Sequence, residues 1–407
     1  MTNSTTIGGL LESTLKIDVS FYDKKHKKLL TEGEYPKAAV DRMNHIVNHG
    51  LTISGAEFLL YYFFHYRKIS PDDYKSRSDI IELSKELSGV LRNVLSTTNG
   101  SIHTKNINTN LSTEMAEHIG ESIGMLVTAS IYNLIEVDWE IIPVKKTKDF
   151  DFKYAYTDHA SILLETKGSQ TQDNLKKSSS ISQLKKDIIE KKDVIRQPNA
   201  ADHFHGTITA IDCNPQHNIK CWLLDPPSKK SDKNIFKAKL LTRFSNITSF
   251  LSIISPKSRL IEALSLRESI IKTSENIQKI NRRDLTDKNG NSYNHNTAKS
   301  PFFHHKTYIT DKELDGGGIF LEESRGHFIF LGAKKSLIRL VEDQDFEEIN
   351  NYKFDQFKKN IEITWHIDQS IKRERNIAKD YRSDKIKLIG QIYSSASGFM
   401  VGYFRAD

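Results

Sequence analysis

The chain has 407 residues, of which 37% are hydrophobic and 27% charged, so it has room for two or three domains and needs no disulfide or metal to complete a core. Its 20 Phe and 15 Tyr exclude a wholly disordered chain. A net charge of +7 and a pI near 9.0 favour a polyanionic partner.

Cysteine content and hydropathy predict the compartment. Cys213 and Cys221 are the only cysteines, and the first residues lack the basic and apolar regions of a signal peptide, so we expect a cytoplasmic protein. The most apolar runs, 58–66 and 123–135, are shorter than the roughly 20 residues of a membrane helix, so we expect no membrane partner. The scattered histidines form no zinc-like cluster with the two thiols.

Residues 1–105 are predicted to form a helical N-terminal unit. Apolar residues recur at three- and four-residue steps within 35–48, 53–67 and 79–95, as is typical of amphipathic helices. Residues 96–110 are polar and lack periodicity, which predicts a linker and a domain boundary.

Residues 106–240 are predicted to form a central α/β domain. A long amphipathic helix is followed by three segments with period-two alternation, then by a second helix and two more strands. These segments are the helix 111–135, the strands 137–144, 149–156 and 161–168, the helix 181–192, and the strands 206–212 and 221–225.

Residues 241–407 are predicted to form a mixed α/β region. Helices are expected over 240–283, over 334–341 and within 350–378, and short strands over 318–321, 327–331, 386–392 and 399–404. The run Gly316-Gly317-Gly318 predicts a hairpin turn, because a phosphate-binding loop would need a Lys-Ser/Thr ending and a following helix.

The candidate chemistry lies on the second and third strands of the central domain. Glu165 and Lys167 point to one face of the third strand because side chains alternate along a strand. If the two strands form a hairpin that turns near Asp158, Asp151 lies opposite Glu165 and Asp149 opposite Lys167. The other interpretation of Glu165 and Lys167 is an ion pair on a solvent-exposed sheet face.

Such a group of side chains suits metal-dependent cleavage of phosphodiester bonds. Carboxylates bind a hard divalent ion such as Mg²⁺, which polarises the phosphate and activates a bound water. A lysine orients that water and opposes the charge that develops in the transition state. Glu117 and Glu121 lie four residues apart on one face of the preceding helix and offer further carboxylates.

This arrangement resembles the PD-(D/E)xK nuclease superfamily, which has the restriction-endonuclease-like fold. The resemblance covers residues 111–239 and implies a Mg²⁺ cofactor, for which Mn²⁺ can substitute. It also implies an auxiliary Gln or Lys on the helix after the third strand, where Gln183 and Lys186 match. Carried over, the metal-binding and catalytic roles fall on Glu121 or Glu117, on Asp151 or Asp149, on Glu165 and on Lys167.

The sequence departs from the family pattern before its aspartate. The family often has Pro there, whereas this chain has Lys148 or Phe150, so the choice between Asp149 and Asp151 stays open. Asp158 is interpreted as a turn residue. The triplet alone has little specificity, because Glu190-Lys191-Lys192 also matches it within a helical segment.

The sequence therefore predicts an α/β protein with a central restriction-endonuclease-like mixed sheet flanked by helices. We expect a Mg²⁺-dependent endonuclease that hydrolyses DNA, by analogy a restriction or phage-defence effector that acts alone, as a homo-oligomer or with a partner protein. The alternatives are a non-catalytic nucleic-acid-binding or regulatory subunit that keeps the fold, and a structural subunit of a larger complex. The basic segment 220–243, which contains Trp222 and Phe236, suits contact with a phosphate backbone.

Overall fold

The computed structural model describes residues 7–33, 35–66, 89, 91, 94–105, 113–140, 153–194, 202–212, 214, 216–224, 234–255, 258–280, 285–293, 308–309, 314–366 and 385–407. The chain folds as two compact units. The first lies within residues 1–69 and 86–243, and the second within residues 70–85 and 244–407.

The first unit is built on one large sheet with helices on its faces. Its N-terminal elements are α1 (Ile7–Glu12), β1 (Thr14–Phe21), α2 (Lys24–Glu32), α3 (Lys37–His49), β2 (Leu51–Ser54), α4 (Gly55–Tyr66), β3 (Leu95–Thr98) and β4 (Ser101–Thr104). Its remaining elements are α5 (Thr113–Tyr132), β5 (Trp139–Glu140), β6 (Lys153–Tyr156), β7 (Ser161–Thr171), α6 (Ser179–Val194), β8 (His203–Asp212), β9 (Ile219–Leu224) and the start of α7 (Ile235–Ile254).

The sheet has nine strands in the order β3-β4-β1-β9-β8-β7-β6-β5, with β2 paired to β1. Strand β7 runs antiparallel to β6 and parallel to β8, and β1 runs parallel to β9. The molecule is thus mixed α/β, with a large mixed sheet flanked by helices, which confirms that level of the sequence prediction.

The N-terminal residues contribute strands that the helical prediction missed. In β1 the alternating residues Leu15, Ile17 and Val19 are buried, and the strand pairs with β9 far along the chain. The segment predicted as a linker contains the hairpin β3–β4. Its turn uses Asn99 and Gly100 at positive φ, and Asn-Gly is a strong hairpin signal.

Helix α5 packs against β7 at very short range because glycines occupy the contact. A Cβ added to Gly120 would lie 2.3 Å from the Cα of Gly168, and one added to Gly168 would lie 1.9 Å from the carbonyl oxygen of Ala116. The carbonyl oxygen of Gly120 also accepts hydrogen bonds from the hydroxyls of Thr166 and Thr209, each at 3.2 Å. Helix and sheet are therefore joined by backbone contact, which any larger side chain would prevent.

Helix α6 covers the opposite face of the sheet. Its Ile181 and Ile188 pack in one apolar cluster with Ile208 and Ala210 of β8. In the parallel register Lys167 pairs with Ile208, so the two share a face, whereas Thr166 points the other way toward α5.

The second unit is built around a six-stranded sheet in the order β10-β11-β12-β15-β14-β13. Its elements, after the end of α7, are α8 (Arg259–Thr273), β10 (Tyr308–Ile309), β11 (Gly316–Ser324), β12 (His327–Lys334), α9 (Lys335–Asp343), α10 (Phe346–Asn351), β13 (Phe357–His366), β14 (Lys385–Ser394) and β15 (Phe399–Ala406).

Two sequence predictions for this unit differ from the structure. A helix was predicted within 350–378, but 357–366 forms β13, in which Ile361, Ile363 and Trp365 alternate with more polar residues. The remainder of that segment, 367–378, lies outside the described residues. Gly316 to Gly318 lie within β11 rather than in a turn. Added Cβ atoms at Gly316 and Gly318 would meet carbonyl oxygens of β12, so these glycines allow close strand contact.

No helix among the described residues is both long enough and apolar enough to span a membrane. The two longest, α5 and α7, have 20 residues each, and both contain polar or charged side chains such as Glu121 and Arg243.

Replacing Gly120 with Ala is expected to destabilise the first unit by about 1–3 kcal/mol or more, because the added methyl group overlaps the backbone of Gly168. The measurement is urea denaturation of the full chain. Gly89 is the matched control, because nothing lies within 4 Å of an added Cβ there. If Gly120→Ala unfolds at the same urea concentration as Gly89→Ala, the close helix–strand contact is wrong.

Candidate functional site

Glu165 and Lys167 form an ion pair in the interior of the protein. The Nζ of Lys167 lies 3.4 Å from Oε1 of Glu165, and the side chains are 11% and 0% exposed. The interpretation as an ion pair on a solvent-exposed face therefore does not hold. Removing one partner of a buried pair leaves an uncompensated charge, so the two side chains depend on each other.

The pair projects to the α6 side of the sheet. Thr166, between the two residues, donates its hydroxyl to the Gly120 carbonyl on the α5 side, so its neighbours point the other way. On β8 the residues in register with Glu165 and Lys167 are Gly206 and Ile208. Gly206 has no side chain that would occupy space beside the Glu165 carboxylate.

The register of the β6–β7 hairpin is shifted by one residue from the prediction. Lys153 pairs with Leu164 and Tyr154 with Leu163. Tyr154 and Tyr156 therefore share the face of Glu165, and Lys153 lies on the other face. The predicted partners Asp149 and Asp151 lie outside the described residues.

Glu140 of β5 is a carboxylate on the Glu165 face that sequence reasoning did not single out. It pairs in register with Tyr154, and its Oε2 accepts a hydrogen bond of 2.7 Å from the hydroxyl of Tyr156. Burial and the charge of Glu140 raise the pKa of Tyr154 to about 12 and that of Tyr156 further. Both tyrosines therefore stay protonated at neutral pH, and Tyr156 donates its hydroxyl proton to Glu140.

Glu121 belongs to helix α5 and lies on the opposite side of the sheet from Glu165. Its Oε2 lies 3.9 Å from the Nζ of Lys153, which projects to the α5 side. Glu117 is partly exposed, one turn earlier on α5. Among the described residues, then, the structure brings Glu165 together with Lys167 and Glu121 with Lys153.

The predicted auxiliary residues lie on α6. Gln183 and Lys186 are both exposed, and the side-chain amide of Gln183 donates to Asp187 one turn later at 2.9 Å. Asp158 lies in the turn between β6 and β7, as predicted, and accepts a hydrogen bond from Lys239. Burial raises the pKa of Asp158, but the hydrogen bond and charge of Lys239 outweigh it, so the pKa lies below its usual value.

The donor set at this site suits a hard cation but is incomplete in the described part of the chain. Glu165 supplies carboxylate oxygens, which Mg²⁺ prefers. No group of three or more His, Cys, Asp or Glu side chains that could hold a metal ion occurs among the described residues. The two aspartates predicted as further ligands are not among them.

In the described part of the basic segment 220–243, several of the residues expected to contact phosphate are buried, whereas Phe236 is exposed. Trp222 is buried in the cluster under α6, so it offers no stacking surface. Arg243 makes a buried ion pair with Asp138 at 2.7 Å, and Lys239 is buried against Asp158. These cations stabilise the first unit from within.

A polar cluster at the end of β8 was also missed by sequence reasoning. The carboxylate of Asp212 accepts hydrogen bonds from His217 Nδ1 at 2.7 Å and from the backbone of Asn174 and Asn214 at 2.9 and 2.7 Å. It ties the loop after β7 to the β8–β9 hairpin. An Asp two residues before an Asn at a strand end is a local signal for such a turn.

His203 and His205 lie in β8. The ring of His203 stacks on Tyr35 and Tyr132 at 5.1 and 6.0 Å, and the ring of His205 meets the edge of Tyr132. Burial, with a smaller contribution from His203, lowers the pKa of His205 from 6.5 to about 3. His205 is therefore a neutral packing residue on the α5 side.

His205 is expected to stay neutral from pH 8 to pH 5, so its imidazole NMR signals should not titrate in that range. The unfolded chain protonates this group near pH 6.5 and the folded chain only near pH 3. Each unit of pH lost between these values should therefore cost up to about 1.4 kcal/mol of folding free energy.

The variant His205→Phe should remove this part of the pH dependence, and the exposed His159→Gln should leave it unchanged. The measurement is urea denaturation between pH 7 and pH 4. Equal slopes for His205→Phe and the unaltered chain would contradict the burial of a neutral imidazole.

No protein-family model matches this sequence, and no curated protein or solved structure matches the chain. Its functional assignment therefore depends on the side chains themselves, beginning with Glu165 and Lys167.

Proposed function

We propose that this protein is a metal-dependent nuclease that hydrolyses phosphodiester bonds of DNA. The observation that carries the proposal is the buried placement of Glu165 and Lys167 side by side on β7, with 3.4 Å between their charged groups. Burial of a charged pair stabilises a fold little or not at all, so its presence in a sheet interior favours a functional role.

The order and direction of the surrounding elements support the same proposal. Helix α5 precedes the antiparallel pair β6–β7, and α6 then leads to β8, which is parallel to β7. A restriction-endonuclease-like fold is expected to show this order, with the Glu-x-Lys triplet on the second strand of the hairpin. The place of the triplet Glu165-Thr166-Lys167 in the chain supports the proposed resemblance to PD-(D/E)xK nucleases.

The proposed chemistry divides between the cation and the protein. A bound Mg²⁺ or Mn²⁺ ion supplies Lewis-acid activation of the phosphate and of water. Glu165 offers a carboxylate ligand, and the Lys167 ammonium orients the attacking water and stabilises negative charge on the phosphate oxygens. The reaction is direct hydrolysis without a covalent intermediate. The further ligand proposed is Asp151 or Asp149, with Gln183 or Lys186 as an auxiliary residue. Glu121 contacts Lys153 on the α5 side of the sheet, so Glu121 and Glu117 are not proposed as ligands of an ion at Glu165.

The biological setting proposed for this activity is restriction or phage defence in the cytoplasm, where the protein acts alone, with a partner protein or with a second copy of the chain. This part rests on analogy with the uses of the fold.

A non-catalytic nucleic-acid-binding or regulatory subunit is the second candidate. The observation that favours it is the direct contact of Lys167 with Glu165, which balances the two charges without a cation. Such a protein would bind DNA and cleave none.

The variants Glu165→Gln and Lys167→Met are expected to lower Mg²⁺-dependent cleavage of plasmid DNA by about 100-fold or more. The first removes a carboxylate ligand of the metal ion, and the second removes the ammonium that acts on the reacting phosphate. The measurement is conversion of supercoiled plasmid with Mg²⁺, Mn²⁺ or EDTA. Glu190→Gln is the matched control, because Glu190 starts the same triplet on the exposed surface of α6.

Each single variant leaves a buried charge, so thermal unfolding must accompany the assay. The double variant Glu165→Gln/Lys167→Met removes both charges and keeps the fold testable. Cleavage that persists in EDTA or in the folded double variant would contradict the proposal. Binding of DNA without cleavage under any of the metals would instead establish the second candidate.

A further inference from the structure

A group of lysines lies on α2, on α6 and on the loop before α6, apart from the Glu165 and Lys167 pair. We call it the lysine surface, and it consists of Lys24, Lys25, Lys27, Lys177, Lys185 and Lys186. The sequence places these residues about 150 positions apart in two sets, and only the fold joins them.

Tyr22 and Asp23 hold the two sets of lysines together. The ammonium groups of Lys177 and Lys185 each lie 4.5 Å from the centre of the Tyr22 ring, which is itself buried under α6. Lys185 also contacts the carboxylate of Asp23 at 3.1 Å, and Asp23 caps the first turn of α2. The start of α2 therefore lies directly beside α6.

The lysine surface carries an excess of positive charge. Lys24, Lys25, Lys27 and Lys186 are exposed, and no ion pair joins them to an acidic group among the described residues. The nearby acids are mostly engaged. Among the described acids, Asp23 pairs with Lys185, Glu32 with Lys28 and Asp173 with Lys176. Asp187, which accepts a hydrogen bond from the neutral Gln183, and the exposed Glu190 keep their charge, which is less than that of the six lysines.

We propose that the lysine surface binds the phosphate backbone of double-stranded nucleic acid. Exposed lysines without acidic partners release counterions from a polyanion, which is the main source of sequence-independent binding. Binding of single strands relies on exposed aromatic side chains on which bases stack. Neither α2 nor α6 presents one in its described part, since Tyr22 and His26 are buried.

The position of α6 relates this surface to the candidate site. The apolar side of α6 covers the sheet face on which Lys167 lies, and its exposed side carries Lys186. A duplex bound to α2 and α6 would therefore contact the outer side of α6, whose inner side covers Glu165 and Lys167. In this respect the inference rests on the proposed function, in which nucleic acid is the substrate.

The test is binding of a short labelled duplex to the unaltered full chain in EDTA, which prevents metal-dependent cleavage, followed by fluorescence anisotropy at increasing salt. The quadruple variant Lys24→Ala/Lys25→Ala/Lys27→Ala/Lys177→Ala is expected to bind at least about tenfold more weakly. In a plot of log affinity against log salt, the slope of this variant should be smaller in magnitude by about 3 to 4, because each phosphate contact contributes roughly 0.9. Unchanged affinity and slope would overturn the proposal.

The matched control removes four exposed lysines of the second unit, Lys272, Lys279, Lys353 and Lys385, with the same change in net charge. It is expected to bind the duplex as the parent does, and an equal loss would show that net charge alone matters. A single strand of equal length that binds as tightly as the duplex also overturns the inference. Binding of vesicles that contain anionic lipid, together with no binding of the duplex, would also overturn the inference.

Failure of this inference and failure of the proposed function give different results. If the unaltered chain binds the duplex but cleaves no DNA, and the lysine variant does not bind, then the nuclease proposal fails and the lysine surface stands. If cleavage is metal-dependent but the lysine variant binds and cleaves normally, the nuclease proposal stands and the surface is wrong.

Discussion

The contact between helix α5 and strand β7 is the constraint on which the central unit depends. Gly120 and Gly168 approach so closely that neither tolerates a Cβ, and the Gly120 carbonyl accepts the hydroxyl of Thr166. Because Thr166 is held toward the helix, strand alternation directs Glu165 and Lys167 to the other face. A packing requirement on one side of the sheet thus sets the position of the charged pair on the other.

The two faces of the sheet differ in electrostatic character. On the α5 side, His205 is buried among rings and its pKa is held far below neutrality, so it contributes packing without charge. On the α6 side, Glu165 and Lys167 keep opposite charges in the interior, and Glu140 receives the hydroxyl of Tyr156. Desolvated charges interact strongly, and this is the reason that the nuclease chemistry is proposed for the α6 side.

The second unit illustrates how curvature builds a core. Strands β11 and β13 are four positions apart in the sheet, which would separate them by about 19 Å if it were flat. The rings of Phe320 and Trp365 are nevertheless 5.2 Å apart. The sheet therefore curls so that β11 and β13 contribute to one aromatic cluster. No single strand carries a sequence pattern that predicts this curvature.

The sequence by itself determined the order of elements between α5 and β9, and it placed Glu165 and Lys167 on one face of a strand. Both follow from local periodicity, which each segment carries in its own residues. Only the tertiary structure decided that β1 joins β9, that the β6–β7 register shifts by one residue, and that Lys185 meets Asp23. These features depend on contacts between distant segments, whose energies come from packing and burial rather than from local pattern.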